Sequence, residues 1–305
     1  RKPAIEQRSS LIYDRSLIIQ SHCPRLSSKL SREGQHRRPF PFGDPRMPER
    51  CPAEFVNLAL RLSEEARDIA ARYFRTRFPV ETKSDESPVT IADREIETLQ
   101  RTMIETAFPD HGISGEEYGD VRMDADYVWI LDPIDGTKAF LNGIPVFTNL
   151  IGLAYRGNPV LGVIDQPTLG ERWIGAAGLG ATLNNMPIRT DLSRTLAEVT
   201  VHATTPEMFI GTTAARFSRL TSAAKYCRYG TDCYAYGLLA SGHLHLVAEA
   251  NMKVQDYMPV IEVVRQAGGV ISDWSGQQLG FNSDGTVLAS ASNGLHDAAL
   301  EILAI

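Results

Sequence analysis

At 305 residues, with 43% hydrophobic and 22% charged positions, 24 Gly and 17 Pro, the chain has a globular composition, neither disordered nor fibrous. Of its 31 Lys/Arg and 37 Asp/Glu, ten and four fall in residues 1–46, which leaves 21 basic against 33 acidic residues in 47–305. An acidic body with no Lys/Arg cluster among aromatics disfavours nucleic acid as a partner, and no apolar run approaches the roughly 18 residues of a membrane span.

Residues 1–46 are Arg- and Ser-rich, carry Pro39, Pro41 and Pro45 near their end, and precede Met47. They read as an extension to a domain over 47–305. One reading is an organellar transit segment. The preferred one, because a transit segment would be poorer in acids, is a start set too early, with Met47 as initiator. Cys23, Cys51, Cys227 and Cys233 form no CxxC pair and no Cys/His set at zinc spacing, so free thiols and a cytoplasmic protein are expected, organellar if 1–46 is a transit segment.

Within the domain, Phe55, Leu58, Ala59, Leu62, Ala66, Ile69, Ala70 and Tyr73 recur at helical spacing and predict a helix over 54–74. A polar loop over 81–88 separates it from a second stripe, Ile96, Leu99, Met103 and Ala107, after Asp93. Tyr127–Leu131 and Val160–Ile164 predict strands that stop at Asp132-Pro133 and Asp165-Gln166-Pro167. The second half predicts a helix around 206–220, a strand at 225–229, a helix from Asp232, a strand at 243–249, a helix over 256–267 and a strand at 270–274. Such alternation predicts a layered α/β (α+β) fold.

The segment Asp132-Pro133-Ile134-Asp135-Gly136-Thr137 follows a strand of buried type. Its two carboxylates, beside backbone that turns into a helix, suit a hard cation with a phosphate; a capped type I turn is the plain alternative. Gly115-Glu116-Glu117 adds acids in a loop, and Asp256 starts a later helix. Taken singly, these read as solvated surface and a helix cap.

Together, Thr90-Ile91-Ala92-Asp93, Gly115-Glu116-Glu117, Asp132 to Thr137 and Gln255-Asp256 resemble the inositol monophosphatase superfamily of magnesium-dependent phosphatases, in order and spacing, over about 52–305. The resemblance implies alternating helix and sheet layers. It implies two or three Mg²⁺ per site, held by Glu116, Asp132, the carbonyl of Ile134, Asp135 and Asp256. It further implies water activation by Asp93 with Thr137, phosphate contacts from Gly136 and Thr137, substrate contact by Asp256, and a homodimer.

Asp165-Gln166-Pro167, Glu171 to Gly175, Lys138 and Arg228 to Tyr236 look like the histidinol-phosphate phosphatase branch, whose reaction belongs to histidine biosynthesis. Histidinol phosphate carries an ammonium and an imidazole, so Asp232 and Glu249 are the candidate anions for it; a helix N-cap and a solvent-facing strand end are their structural alternatives. Gln255 stands where the family usually has an aromatic, and Ala139 where Ser is more typical. The expected activity is hydrolysis of L-histidinol phosphate. The alternatives are another sugar-alcohol phosphatase activity, such as inositol 1-phosphate hydrolysis, and a non-catalytic binding protein that reuses the fold. His243-Leu244-His245 predicts two imidazoles on one strand face but lacks a third zinc ligand. Gly175, Gly178 and Gly180 read as a hairpin turn, and Lys83 as a candidate neighbour of the phosphate loop.

Overall fold

In the computed structural model, which describes residues 49–78, 80–82 and 88–304, the first stripe forms helix α1 (Ala53–Tyr73) and buries Phe55, Leu58, Leu62, Ala66 and Ile69 on one face. Strands β1 (Val80–Thr82) and β2 (Pro88–Thr90) pair antiparallel ahead of the second helix. Residues 1–46, and Lys83 of the polar loop, lie outside the described residues. Helix α2 (Ile91–Ala107) starts two residues before Asp93 because Thr90 caps it: the Thr90 hydroxyl accepts the N–H groups of Ala92 and Asp93, and Asp93 Oδ2 accepts the N–H of Thr90 at 2.9 Å.

The large sheet contains β3 (Gly112–Gly115), β4 (Gly119–Val121), β5 (Tyr127–Asp135), β6 (Thr148–Tyr155), β7 (Asn158–Gln166), β8 (Glu171–Ala176), β9 (Gly180–Leu183) and β10 (Met186–Pro187). Their order is β10-β9-β8-β7-β6-β5-β3-β4, antiparallel except for β3 beside β5. Two expected strand ends are corrected here. Both β5 and β7 run through their Asp residues, and the Asp-Pro pair on β5 is absorbed by an irregularity in the ladder between Asp132 and Asp135. A bulge leaves residues unpaired, so Pro133, which has no N–H to give, costs no ladder bond there.

The small sheet holds β11 (Thr200–Ala203), β12 (Tyr226–Tyr229), β13 (Leu246–Glu249), β14 (Val270–Ser272) and β15 (Val287–Ser290), in the order β12-β11-β13-β15-β14. Between β5 and β6 lies the short helix α3 (Thr137–Leu141); α4 (Thr212–Ala223), α5 (Tyr234–Ala240), α6 (Val254–Gln266) and α7 (Asn293–Leu303) complete the set. The helix expected around 206–220 is a 3₁₀ turn at Pro206–Met208 followed by α4, with Gly211 at φ 59° between them. Strand β13 begins only at Leu246, so His243 and His245 do not share a strand face; His245 Nε2 instead lies 3.1 Å from Asp191 Oδ2.

Helices α1 and α2 cover one face of the large sheet. Helices α5 and α6 fill the space between the two sheets, and α4 with α7 covers the outer face of the small one. This is the expected succession of helix and sheet layers. The seat of α6 is written in a cross-strand row of glycines: Gly152 pairs with Gly162, and Gly162 with Gly175. A Cβ on Gly162 would run into the carbonyl of Pro259, and one on Gly175 into that of Glu262, so only glycine admits the helix at this depth. The N-terminal turn of α6 is thereby set against the ends of β3 and β5.

Candidate active site

Asp132, Asp135 and Asp256 come together, each offering one carboxylate oxygen, and these oxygens lie within 4.8 Å of one another. Asp132 is buried, the other two half-buried. The bulge in β5 is what brings Asp132 and Asp135 to one side. Asp256 arrives from the first turn of α6, where its Oδ2 accepts the N–H of Lys253 at 2.8 Å; the helix starts at Val254, two residues earlier than expected. Asp135 Oδ2 accepts the Thr148 hydroxyl at 3.0 Å and the N–H of Cys233 at 2.8 Å.

Burial pushes the proton affinities of Asp132 and Asp135 well above the ordinary range, with the charge of Glu116 adding most at Asp132, that of Asp232 adding most at Asp135, and the triad's own repulsion after them. Asp256 is pushed up to about 7, mainly by burial, with the N–H of Lys253 opposing and the charge of Glu116 adding. Crowded, desolvated carboxylates gain most from a cation. Two buried oxygens, Asp93 Oδ1 and Asp132 Oδ1, have no hydrogen-bond partner among the described residues. Unpaired hard oxygens beside an acidic triad fit a divalent ion that prefers oxygen ligands.

The expected ligands do not all stand in the triad. Glu116 is close enough to raise Asp132 and Asp256, but its Oε1 pairs with Lys253 Nζ at 3.4 Å. The Ile134 carbonyl accepts the Thr137 hydroxyl at 3.0 Å. Asp93, almost fully buried and pushed up to about 7 by desolvation, bonds Thr90 through Oδ2 and keeps Oδ1 open. The expected pair of Asp93 and Thr137 thus has its hydrogen bonds in other directions.

Gly136 takes a left-handed conformation (φ 78°), and a Cβ placed on it would come 3.0 Å from Asp232 Oδ2. Asp232 therefore projects over the Asp132–Thr137 segment. The helix-cap alternative is corrected: α5 starts at Tyr234 with Cys233 as its N-cap, and Asp232 itself sits at φ 44°. Burial raises its pKa to about 6 against the opposing charge of Lys138. Glu249 is likewise no solvent-facing strand end, being 1% exposed. Its Oε1 accepts the N–H and hydroxyl of Thr204 and its Oε2 the hydroxyl of Tyr236 at 2.7 Å, so both oxygens are already bonded within the fold.

Three buried polar residues that the sequence reading passes over complete the surroundings. Glu97, one helical turn after Asp93, accepts the N–H groups of Glu117 at 2.7 Å and Tyr118 at 3.1 Å. Asn149 donates to the carbonyls of Asp132 and Pro133, both at 3.1 Å, and Thr148 steadies Asp135. A Glu on the buried stripe of an amphipathic helix was the one visible signal for Glu97. Asp165 and Gln166 serve the scaffold: buried Asp165 accepts Arg67 Nη2 and Arg172 Nε, each at 2.6 Å, and Gln166 is bonded to the carbonyls of Pro145 and Phe147.

The sequence model of the inositol monophosphatase family matches residues 52–304. The chain is 40% identical, over 82% of its length and 75% of the relative's, to the bifunctional phosphatase IMPL2, chloroplastic, of Arabidopsis thaliana. It is 35% identical, over 78% of its length and 93% of the relative's, to a histidinol-phosphatase of Chlorobaculum parvum. Among solved structures, an inositol monophosphatase from Zymomonas mobilis is similar at 37% identity and a TM-score of 0.77, covering 83% of this chain and 98% of that one. With its family's sequence pattern over most of its length and its neighbours' layered architecture, the chain belongs to the inositol monophosphatase family.

Proposed function

We propose that the protein is a Mg²⁺-dependent phosphomonoesterase that hydrolyses L-histidinol phosphate to L-histidinol and phosphate. The observation that carries this reading is Asp232, a half-buried carboxylate poised over Gly136, where it can receive a cationic alcohol whose phosphate lies against the triad. The identity to a histidinol-phosphatase supports the same choice.

Asp132, Asp135 and Asp256 would hold the ion, with Glu116 and the Ile134 carbonyl at its edge. Bound there, it supplies positive charge to the phosphate oxygens and acidity to an attacking water. Asp93 offers Oδ1 as the acceptor for a proton from that water, and its affinity near 7 suits a general base at neutral pH. Thr137 keeps the turn closed through its bond to the Ile134 carbonyl. Asp232 orients the substrate's ammonium, and Glu249 holds Thr204 and Tyr236 in place. An inositol ester is the second reading, favoured by the 37% identical inositol monophosphatase. Phosphate release from histidinol phosphate, inositol 1-phosphate, fructose 1,6-bisphosphate and adenosine 3',5'-bisphosphate separates them: fastest release from the first supports the proposal, and fastest release from any other overturns it.

A further inference from the structure

Glu116 and Asp256 reach the site from elements 140 positions apart in sequence, and as like charges they repel: the charge of Glu116 is among the causes that raise Asp256. Something must keep the two elements together against that repulsion before a cation arrives. The N-terminal turn of α6 touches the end of β3 at two points. Lys253 Nζ lies 3.4 Å from Glu116 Oε1, a pair partly open to solvent and weakened by salt. Gln255 Nε2 donates to Ser114 Oγ at 3.0 Å, and Ser114 is buried, 2% exposed. Gln255 is one residue from Asp256, and Ser114 is two from Glu116. The end of β3 is in turn fixed to β5, because Gly115 pairs with Leu131 and the N–H of Glu116 donates to the Leu131 carbonyl at 3.2 Å. A neutral, partly buried bond responds to neither salt nor proton, whereas the charged contact responds to both.

We infer that Gln255 is a positioning residue that, through Ser114, clamps the turn bearing Asp256 to the strand end bearing Glu116 and so preorganises the cation site. The inference rests on the metal-ligand reading of Glu116 and Asp256. The amide of Gln255 donates a directed bond to a hydroxyl on the neighbouring element, which an apolar side chain at this position would not supply.

The test is equilibrium binding of Mn²⁺, followed by the loss of the free-ion paramagnetic resonance signal, to wild type, Gln255→Leu, Ser114→Ala and the double variant. Each variant's melting temperature in EDTA is measured alongside. Removing one net hydrogen bond that holds ligand geometry should weaken Mn²⁺ binding about three- to tenfold in each single variant. The double variant should bind no more weakly than the worse single one, because both substitutions remove the same bond. Lower melting temperatures with unchanged Mn²⁺ affinity would reduce the contact to scaffold and overturn the inference, as would fully additive losses in the double variant. Absence of Mn²⁺ binding in wild type would instead overturn the metal-ligand reading on which it stands.

Discussion

Glu97 Oε2 accepts the backbone N–H of Glu117 at 2.7 Å, so a carboxylate that is itself fully buried on α2 sets the turn from which Glu116 projects. The charge of Glu97 is balanced by Arg101 Nε at 2.7 Å, one helical turn on, and Arg101 also donates to the Gly119 carbonyl. Helix α2 thus carries Asp93 and the anchor of the Glu116 turn on successive turns of one face.

Glu97→Ala should therefore unsettle both fold and site. Removing the buried carboxylate orphans the N–H groups of Glu117 and Tyr118 and leaves the half-buried Arg101 without its counter-charge, so a loss of about 3 kcal/mol is expected in urea unfolding. Mg²⁺ affinity should fall as well. An unchanged urea midpoint would show that the Glu97 contacts are incidental.

Asp132→Asn separates ligand from scaffold. Outer-shell partners of a metal ligand are commonly worth ten- to a hundredfold, so loss of a ligand should lower phosphate release by more than about a hundredfold. In EDTA the variant should melt at or above the wild-type temperature, because it removes a charge that burial and four other carboxylates oppose. A variant that fails to fold would mark Asp132 as structural.

The metal-free protein should lose stability as pH rises through neutrality. Burial pushes Asp93 and Asp256 up to about 7 from the ordinary 3.8, so over that interval the native state holds protons that the unfolded chain has released. That stabilisation is present at low pH and lost as pH climbs through the folded values. His111, His202 and His296, pushed down by burial, the last two to about 4, give the opposite slope. That slope fades above their ordinary value of 6.5 as the unfolded chain's imidazoles release their protons, while Asp132 and Asp135, also raised, add to the carboxylates' share. Melting in EDTA should occur at a lower temperature at pH 8.5 than at pH 6.5, and Mg²⁺ should narrow the difference. A melting temperature that rises over this range in EDTA would contradict the assignment.

How far the site was legible in the sequence follows from how local each feature is. The stripe of α1 and the order of the acidic segments are local, and the structure keeps them. Asp132-Pro133 reads as a turn because both residues favour turns, yet the ladder to β6 continues past it, which depends on partners 13 to 18 residues later, Thr148 for Asp135 and Leu150 for Asp132. Glu249 reads as a candidate anion for the substrate, with a solvent-facing strand end as its alternative, whereas Thr204 and Tyr236, from β11's end and α5, bond both of its oxygens. The Asn149 contacts and the Gln255–Ser114 bond join segments far apart in the chain, so no spacing rule exposes them. The glycine row under α6 is invisible without the register of three strands.

Asp232→Asn tests the choice of substrate. A charge-assisted hydrogen bond contributes roughly 1.5 to 3 kcal/mol, so kcat/KM for histidinol phosphate should fall on the order of ten- to a hundredfold, mostly through KM. Hydrolysis of a neutral-alcohol ester such as glycerol 2-phosphate should stay at its low starting rate. Equal losses on both substrates would place Asp232 in the cation site or the scaffold.

The most direct measurement is kcat/KM of the wild-type protein for histidinol phosphate and for inositol 1-phosphate, side by side, in Mg²⁺ and again in excess EDTA. The expected result is a clear preference for histidinol phosphate in Mg²⁺ and loss of turnover on both esters in EDTA. Preference for inositol 1-phosphate would contradict the substrate assignment, and undiminished turnover in EDTA would contradict the role given to Asp132, Asp135 and Asp256.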